Sequence, residues 1–277
     1  GQLGVGDSNP RTVPTKVTAL DSKTVTAVSA GTNHTCAIAD GKVYCWGQGT
    51  SGQLGNGTNN TAYSPVLVSN QNGSTATAIS AGDSHTCAIA DGSVFCWGAN
   101  SHGQLGNNST NTSNTPVAVS TSGDMGSQSV TAIAAGGQHT CAVAADSRAY
   151  CWGYDTDGQL GSQYTYTYRC YLFFTCTATD MRDRTTPAAV DTSGAMGTRN
   201  VSSISAGTSH TCAVAGGAAY CWGLGTSGQL GNSSTASTYL SRAVTTSTMS
   251  ASVSAISAGA NSACAIAGGA AYCWGAG

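Results

Sequence analysis

Glutamate is absent from this chain of 277 residues, and charge of either sign is scarce: twelve Asp, seven Arg and three Lys make up 8% of it and leave a net charge of −2. A typical domain carries roughly 25% charged residues. So little positive charge excludes a protein that holds nucleic acid by displacing counterions from phosphates, which takes a basic face. No run of eighteen apolar residues occurs, so no membrane span is expected. With no Glu to pair with Asp, no G-x-S-x-G elbow and no isolated cysteine, the common hydrolytic constellations are missing. The chain therefore reads as no enzyme, with no cofactor. It also lacks an initial Met and a signal segment, which points to a mature or excised piece of a longer precursor.

Ser, Thr, Asn and Gly are abundant, a composition that can accompany disorder, but Val, Ile, Tyr and Trp recur at fixed places and mark an ordered chain. The word GQLG begins at Gly1, Gly52, Gly103, Gly158 and Gly228, and CWG begins at Cys45, Cys96, Cys151, Cys221 and Cys273. Self-similarity on this period signals a propeller or a solenoid. Within the second copy, SPVLVS, ATAISAG, HTCAIA and SVFCWG read as four short strands, the number in a propeller blade. The expected fold is all-β, a single five-bladed propeller over 1–277. Its repeats run at approximately 1–51, 52–102, 103–157, 158–227 and 228–277.

Cysteine spacing fits hairpins. If Asp40-Gly41 is a two-residue type I′ turn, Cys36 faces Cys45 across the strands. The same count sets Cys87 opposite Cys96, Cys212 opposite Cys221, and Cys264 opposite Cys273. These are non-hydrogen-bonded positions, where Cα atoms approach to about 4.5 Å, at the short end of disulfide geometry. Cys141 and Cys151 are one residue further apart, so the turn at Ala145-Asp146-Ser147 should be a three-residue loop or carry a bulge. Structural zinc prefers C-x2-4-C spacing or clustered His, whereas eight or nine residues separate these cysteines. Disulfides are expected, and with them an oxidising, extracellular or cell-surface location.

Assembled, the repeat GxxHTCAIADGxVYCWGxGTSGQLGNGT resembles the regulator of chromosome condensation repeat family, over essentially the whole chain. The resemblance implies a propeller, most often of seven blades in that family, so five copies mean either a five-bladed ring or part of a larger one. The glycine expected after Cys273 would fall just past the last residue, on the stretch with which the chain starts. A ring closed by pairing of the N- and C-terminal segments is favoured over tandem continuation. Family functions diverge: a nuclear nucleotide-exchange factor, a plant ultraviolet sensor with clustered tryptophans beside arginines, and a secreted bacterial inhibitor of β-lactamase. None of their functional residues maps here, since Trp46, Trp97, Trp152, Trp222 and Trp274 occur once per blade without basic neighbours.

His34, His85, His139 and His210 hold one place in four repeats, with Ser262 in the fifth. They suit a repeated hydrogen bond better than a metal ring, and no metal site is expected. Asp155 and Asp157 resemble a calcium loop, but the remaining EF-hand positions are missing, so they read as a turn with two exposed acids. The irregular stretch after Gly161 holds Cys170 and Cys176, expected to close a tight loop around Tyr171, Leu172, Phe173 and Phe174, beside Arg169, Arg182 and Arg184. A preorganised aromatic tip near arginines has the makings of a partner contact. Glycosylation sequons begin at Asn56, Asn59, Asn72, Asn107, Asn108, Asn111, Asn200 and Asn232.

Two functions are left by this reading. The first is a structural module of a surface layer, sheath or fibre, whose partners are copies of itself or other surface proteins. The second is a soluble protein- or glycan-binding module, or an inhibitor, that uses a propeller face and the 169–184 loop.

Overall fold

Turn chemistry sets the central hairpin of each repeat. In the computed structural model, Asp40 and Gly41 have φ of 52° and 72°, and Asp91-Gly92, Gly216-Gly217 and Gly268-Gly269 are likewise positive at both positions, as a type I′ turn demands. In the third repeat Ser147 alone turns to φ 61° and closes a three-residue loop. Residues 72, 172, 173, 246–248 and 250 lie outside the described residues, and 164–171 and 174–179 are described by backbone alone.

The first sheet is β1 (Val25–Ala30), β2 (His34–Ala39), β3 (Lys42–Gly47) and β4 (Ala62–Leu67); the second is β5 (Ala76–Ala81), β6 (His85–Ala90), β7 (Ser93–Gly98) and β8 (Ser113–Ala118). The third has β9 (Val130–Ala135), β10 (His139–Ala144) and β11 (Ala149–Gly153). It is completed, after a ribbon of β12 (Tyr164–Tyr171) and β13 (Phe174–Asp180), by β14 (Arg184–Ala189). The fourth comprises β15 (Val201–Ala206), β16 (His210–Ala215), β17 (Ala218–Gly223) and β18 (Thr238–Ala243). The fifth has β19 (Val253–Ala258), β20 (Ser262–Ala267) and β21 (Ala270–Gly275). All pairings are antiparallel, and the first strands of successive blades neighbour one another along the axis.

The repeat that starts at GQLG is out of phase with the blade. Tyr44 pairs with Leu67 and Cys45 with Val66, so the strand after each GQLG completes the sheet begun before it. Thus SPVLVS belongs to the blade of Cys36, while ATAISAG opens the next one. Each unit spans two blades.

Small residues allow the blades to converge. A Cβ added at Gly136 would lie 2.5 Å from the carbonyl oxygen of Gly207 and would also collide with the His139 ring, and Gly82 and Gly207 are confined in the same manner. Between blades, Cys36, Ile38, Val43 and Cys45 of the first pack on Ala76, Ala88 and Trp97 around the second. The pattern recurs at the following junctions.

Each pair Cys36–Cys45, Cys87–Cys96, Cys141–Cys151, Cys212–Cys221 and Cys264–Cys273 is bonded, with Cα atoms 4.1 Å apart. The expected Cys170–Cys176 pairing concerns side chains outside the described set. Backbone pairing there sets Tyr168 opposite Cys176 and Tyr171 opposite Phe174.

The expected closure does not form. The fifth sheet has three strands, and among the described residues no hydrogen bond joins the N-terminal segment to β21. Val25 and Val28 are 47% and 68% exposed, and Ile266 is 46% exposed. Val25's counterparts at the internal junctions are covered: Val130, Val201 and Val253 are each 5% exposed. The same tight packing recurs at each of the four junctions between the five blades. The N-terminal segment stays on the first blade because Gln2 is held there by Trp46.

Two outcomes follow from this packing. The double substitution Cys141→Ala with Cys151→Ala lowers unfolding free energy by about 2–3 kcal/mol in urea denaturation; an unchanged midpoint would show that the bond is no staple. Gly136→Ala costs about 1–3 kcal/mol through overpacking and lowers the melting temperature in calorimetry, whereas the same change at exposed Gly277, which has open space around it, leaves it where it was.

Candidate functional site

The repeated landmarks converge on one atom per blade. The Gln53 carbonyl accepts from Trp97 Nε1 at 2.9 Å and from Thr86 Oγ1 at 3.0 Å. His34 Nε2 of the preceding blade lies 2.8 Å from the same Thr86 hydroxyl. That hydroxyl gives its one proton to Gln53, so it accepts from the imidazole, and the ring is neutral with its proton on Nε2. Gln104 repeats the network with Trp152, Thr140 and His85, and Gln159 repeats it with Trp222, Thr211 and His139. The histidines are thus pins between blades. In the last junction Ala263 stands where threonine would and offers His210 no hydroxyl. The final glycine of GQLG is required here: at Gly55, with φ +65°, a Cβ would sit 2.6 Å from Trp97 Nε1.

Burial pushes the pKa of His34 and His210 down to about 4 and of His85 and His139 to about 3. Neutral rings suit the pins and give no pH response near neutrality.

The axial mouth is lined by Gly31, Gly82, Gly136, Gly207 and Gly259, with Asp83 as the single charged group among its described residues. Thr32 Oγ1 already donates to Asp83 at 2.7 Å. Little side-chain reach remains there for a ligand. Among the described residues no group of three His, Cys or Asp could hold a metal ion, and no helix is long and apolar enough to cross a membrane.

At the foot of the β12–β13 ribbon the sequence reading needs a correction. Asp155 is not exposed; it is buried, with Oδ1 accepting from Leu160 N at 2.9 Å and Oδ2 unpartnered. Its counterpart one repeat earlier is Asn100, whose Oδ1 accepts from Leu105 N and whose Nδ2 donates to the carbonyls of Ser109 and Asn111. A carboxylate cannot donate in this way. Burial, the largest cause, raises the Asp155 pKa to about 7, although Leu160 N–H and Arg184 favour the anion. Beside it Asp183 accepts from Asp155 N through Oδ1 and lies 2.7 Å from His102 Nδ1 through Oδ2, while His102 meets the edge of Tyr154. No element of the sequence signalled this cluster, because it depends on the return strand after the ribbon.

Of the expected partner-contact residues, Arg182 is paired with Asp180 and Arg184 opens β14. Arg169, Tyr171 and Phe174 lie on the ribbon backbone, and Leu172 and Phe173 lie outside the described residues. The ribbon forms a sheet of its own, apart from the blades. Among the sequon asparagines, Asn59, Asn108, Asn111 and Asn200 are exposed, Asn56, Asn107 and Asn232 are half-buried, and Asn72 is outside the described residues. Asn56 Oδ1 and Asn232 Oδ1 each accept from the backbone N–H two residues on, within Thr58 and Ser234 of their own sequons. Asn107 Oδ1 accepts from Asn100 Nδ2.

Antiparallel blades of repeated sequence, each locked to its neighbour through a Gly-Gln-Leu-Gly loop, define a β-propeller of the blade-repeat class. Residues 1–277 match the RCC1-like domain, and the chain belongs to that family. Against the ultraviolet-B receptor UVR8 of Arabidopsis thaliana it is 34% identical over 236 residues, which cover 84% of this chain and 49% of that protein. The chain thus spans about half the length of that relative. Among solved structures, human WBSCR16 superposes with a TM-score of 0.74 at 22% identity, over 91% of this chain and 62% of the other. Prp20p of Saccharomyces cerevisiae, studied for its binding to Gsp1p and histones, superposes with a TM-score of 0.70 at 22% identity, over 86% and 54% of the two chains.

The pKa shifts bracket a stability window. Histidine pKa values lie lower in the folded than in the unfolded chain, so their contribution is full above about pH 6.5 and falls as pH drops toward 4. The Asp155 value lies higher in the folded chain, so its contribution is full below the ordinary 3.8 and is lost as pH rises through 7. Asp155→Asn, which copies the Asn100 arrangement, therefore raises the melting temperature more at about pH 8 than at about pH 5. An equal gain at both values would remove the ionisation of Asp155 from the account.

Proposed function

We propose that this protein is a non-catalytic, extracellular structural module, a building block of a surface layer, sheath or fibre whose main partners are copies of itself. One observation carries this reading: the central hairpin of every blade is closed by its own disulfide, a covalent reinforcement repeated along the chain. A covalent staple in every blade suits a material outside the reducing cytosol. Low charge lessens repulsion between closely packed copies. The exposed sequons Asn59, Asn108 and Asn111 add places for glycan on the surface between ends.

The ultraviolet sensing named for UVR8 does not suit this chain, because each indole here is engaged with a Gln carbonyl in its own blade junction. A second reading rests on the β12–β13 ribbon, which stands apart from every blade sheet and suits a soluble binder or inhibitor of protein or glycan.

Electron microscopy of material isolated from its source separates the two. Filaments or sheets with one arc per repeat are the expected result. Dispersed single arcs would overturn the structural reading and make the ribbon the bait for a partner.

A further inference from the structure

The junctions between blades are built from one recurring set of residues, and the first junction lacks a member of it. Met125, Met196 and Met249 are buried in the second, third and fourth junctions. Each belongs to the segment that leads from the fourth strand of one blade to the first strand of the next, and each packs with the valines at the two ends of that segment: Val119 and Val130, Val190 and Val201, Val244 and Val253. The corresponding segment of the first junction runs from Val68 to Ala76 in fewer residues and contains no methionine. Ala76 also holds the register position of Val130, Val201 and Val253, so the side chain there is smaller as well.

The remaining members are in place. Val43, Val68 and Trp97 occupy the first junction as Val94, Val119 and Trp152 occupy the second. The space that a methionine fills elsewhere is left as a cavity of about 50 Å³, walled by Val43, Val68, Ala76, Ala88 and Trp97. Its polar wall is the turn after Val68, where Gln71 uses its whole amide group on the backbone. Gln71 Oε1 accepts from Val43 N, and Nε2 donates to the carbonyls of Val43 and Val68, each at 2.9 Å. With that amide engaged, water inside the cavity finds few partners, the condition under which an apolar cavity takes up an apolar guest.

We propose that the first junction is a binding seat for a short unbranched apolar chain, an alkyl or thioether group of about four heavy atoms, the number that a cavity of this size admits. The three seated methionines show the chemistry of the guest from within the chain. An unbranched, polarizable thioether adapts to an irregular gap, and at the second junction it shares one apolar cluster with Trp152 as a guest would with Trp97. The seat lies on the face that carries the hairpin turns, where Gly41 sits against Thr75, and it involves neither the axial mouth nor the ribbon. It goes beyond the structural reading above and does not depend on it. The same chemistry is offered by a free small molecule and by a side chain of a protein laid over the turn after Val68.

Ethyl methyl sulfide, the methionine side chain as a free molecule, is the probe, and methyl NMR of the 277-residue chain is the measurement. Saturable shifts confined to the methyl groups of Val43, Val68, Ala76 and Ala88 are expected, with a dissociation constant on the order of millimolar. Ala76→Val restores the valine of the other junctions and should weaken binding about tenfold while raising the melting temperature. Met196→Ala opens the same space at the third junction and should add a second set of shifts, at Val190 and Val201. Methionine capped as its N-acetyl N-methylamide then tells the source: binding as tight as that of the sulfide assigns the seat to a protein side chain, and exclusion assigns it to a free molecule. The absence of any saturable shift in the wild-type chain would overturn the proposal. Shifts that Ala76→Val leaves undiminished would overturn it too, since the probe would then bind elsewhere.

Discussion

The backbone carbonyl of the Gln in each Gly-Gln-Leu-Gly loop is the point on which this architecture depends. It accepts from an indole and, in the first four blades, from a threonine hydroxyl, so both of its lone pairs are used at the blade junction. At three junctions the threonine in turn receives the Nε2 proton of a histidine from the blade before. Three groups from three strands are thereby fixed by one atom. Removing any donor would leave a buried acceptor short, which costs more than the net gain of making the bond.

This network explains where variation is tolerated. The ribbon of Tyr164–Tyr171 and Phe174–Asp180 enters after the loop that holds Gln159 and leaves before β14, so it lengthens one repeat without touching a Gln carbonyl. The last blade has lost both members of the pin, Thr to Ala263 and His to Ser262, and still packs through Val253, Ile256 and Ala265. Apolar burial carries the junction, and the polar network adds register and specificity. Asp155 marks a different compromise, a carboxyl placed where Asn100 shows that an amide would be fully satisfied.

The step between blades and the pH response arise from the same close packing. Glycines at the axis let backbones approach within van der Waals contact of one another, which sets the step from blade to blade. Burial of the histidines keeps them neutral, so the junctions weaken only when acid supplies protons that the folded site resists.

Much of this was legible in residues close together in the chain. The hairpin turns at Asp40-Gly41 and its equivalents, the three-residue loop at Ser147, and the facing cysteines follow from strand periodicity of two and from the need for positive φ, both local properties. The number of blades and their membership in the RCC1-like domain were equally readable from the repeat. What the linear text misrepresented was phase, closure and burial. SPVLVS joins the previous blade, the N-terminal segment remains on Trp46, and Asp155 sits inside a loop rather than on it. Each of these is decided by partners that lie far away in sequence, as His139 and Thr211 do, and no local pattern records which distant surface a strand will meet. The sequence determined the blade, and only tertiary packing decided how blades meet.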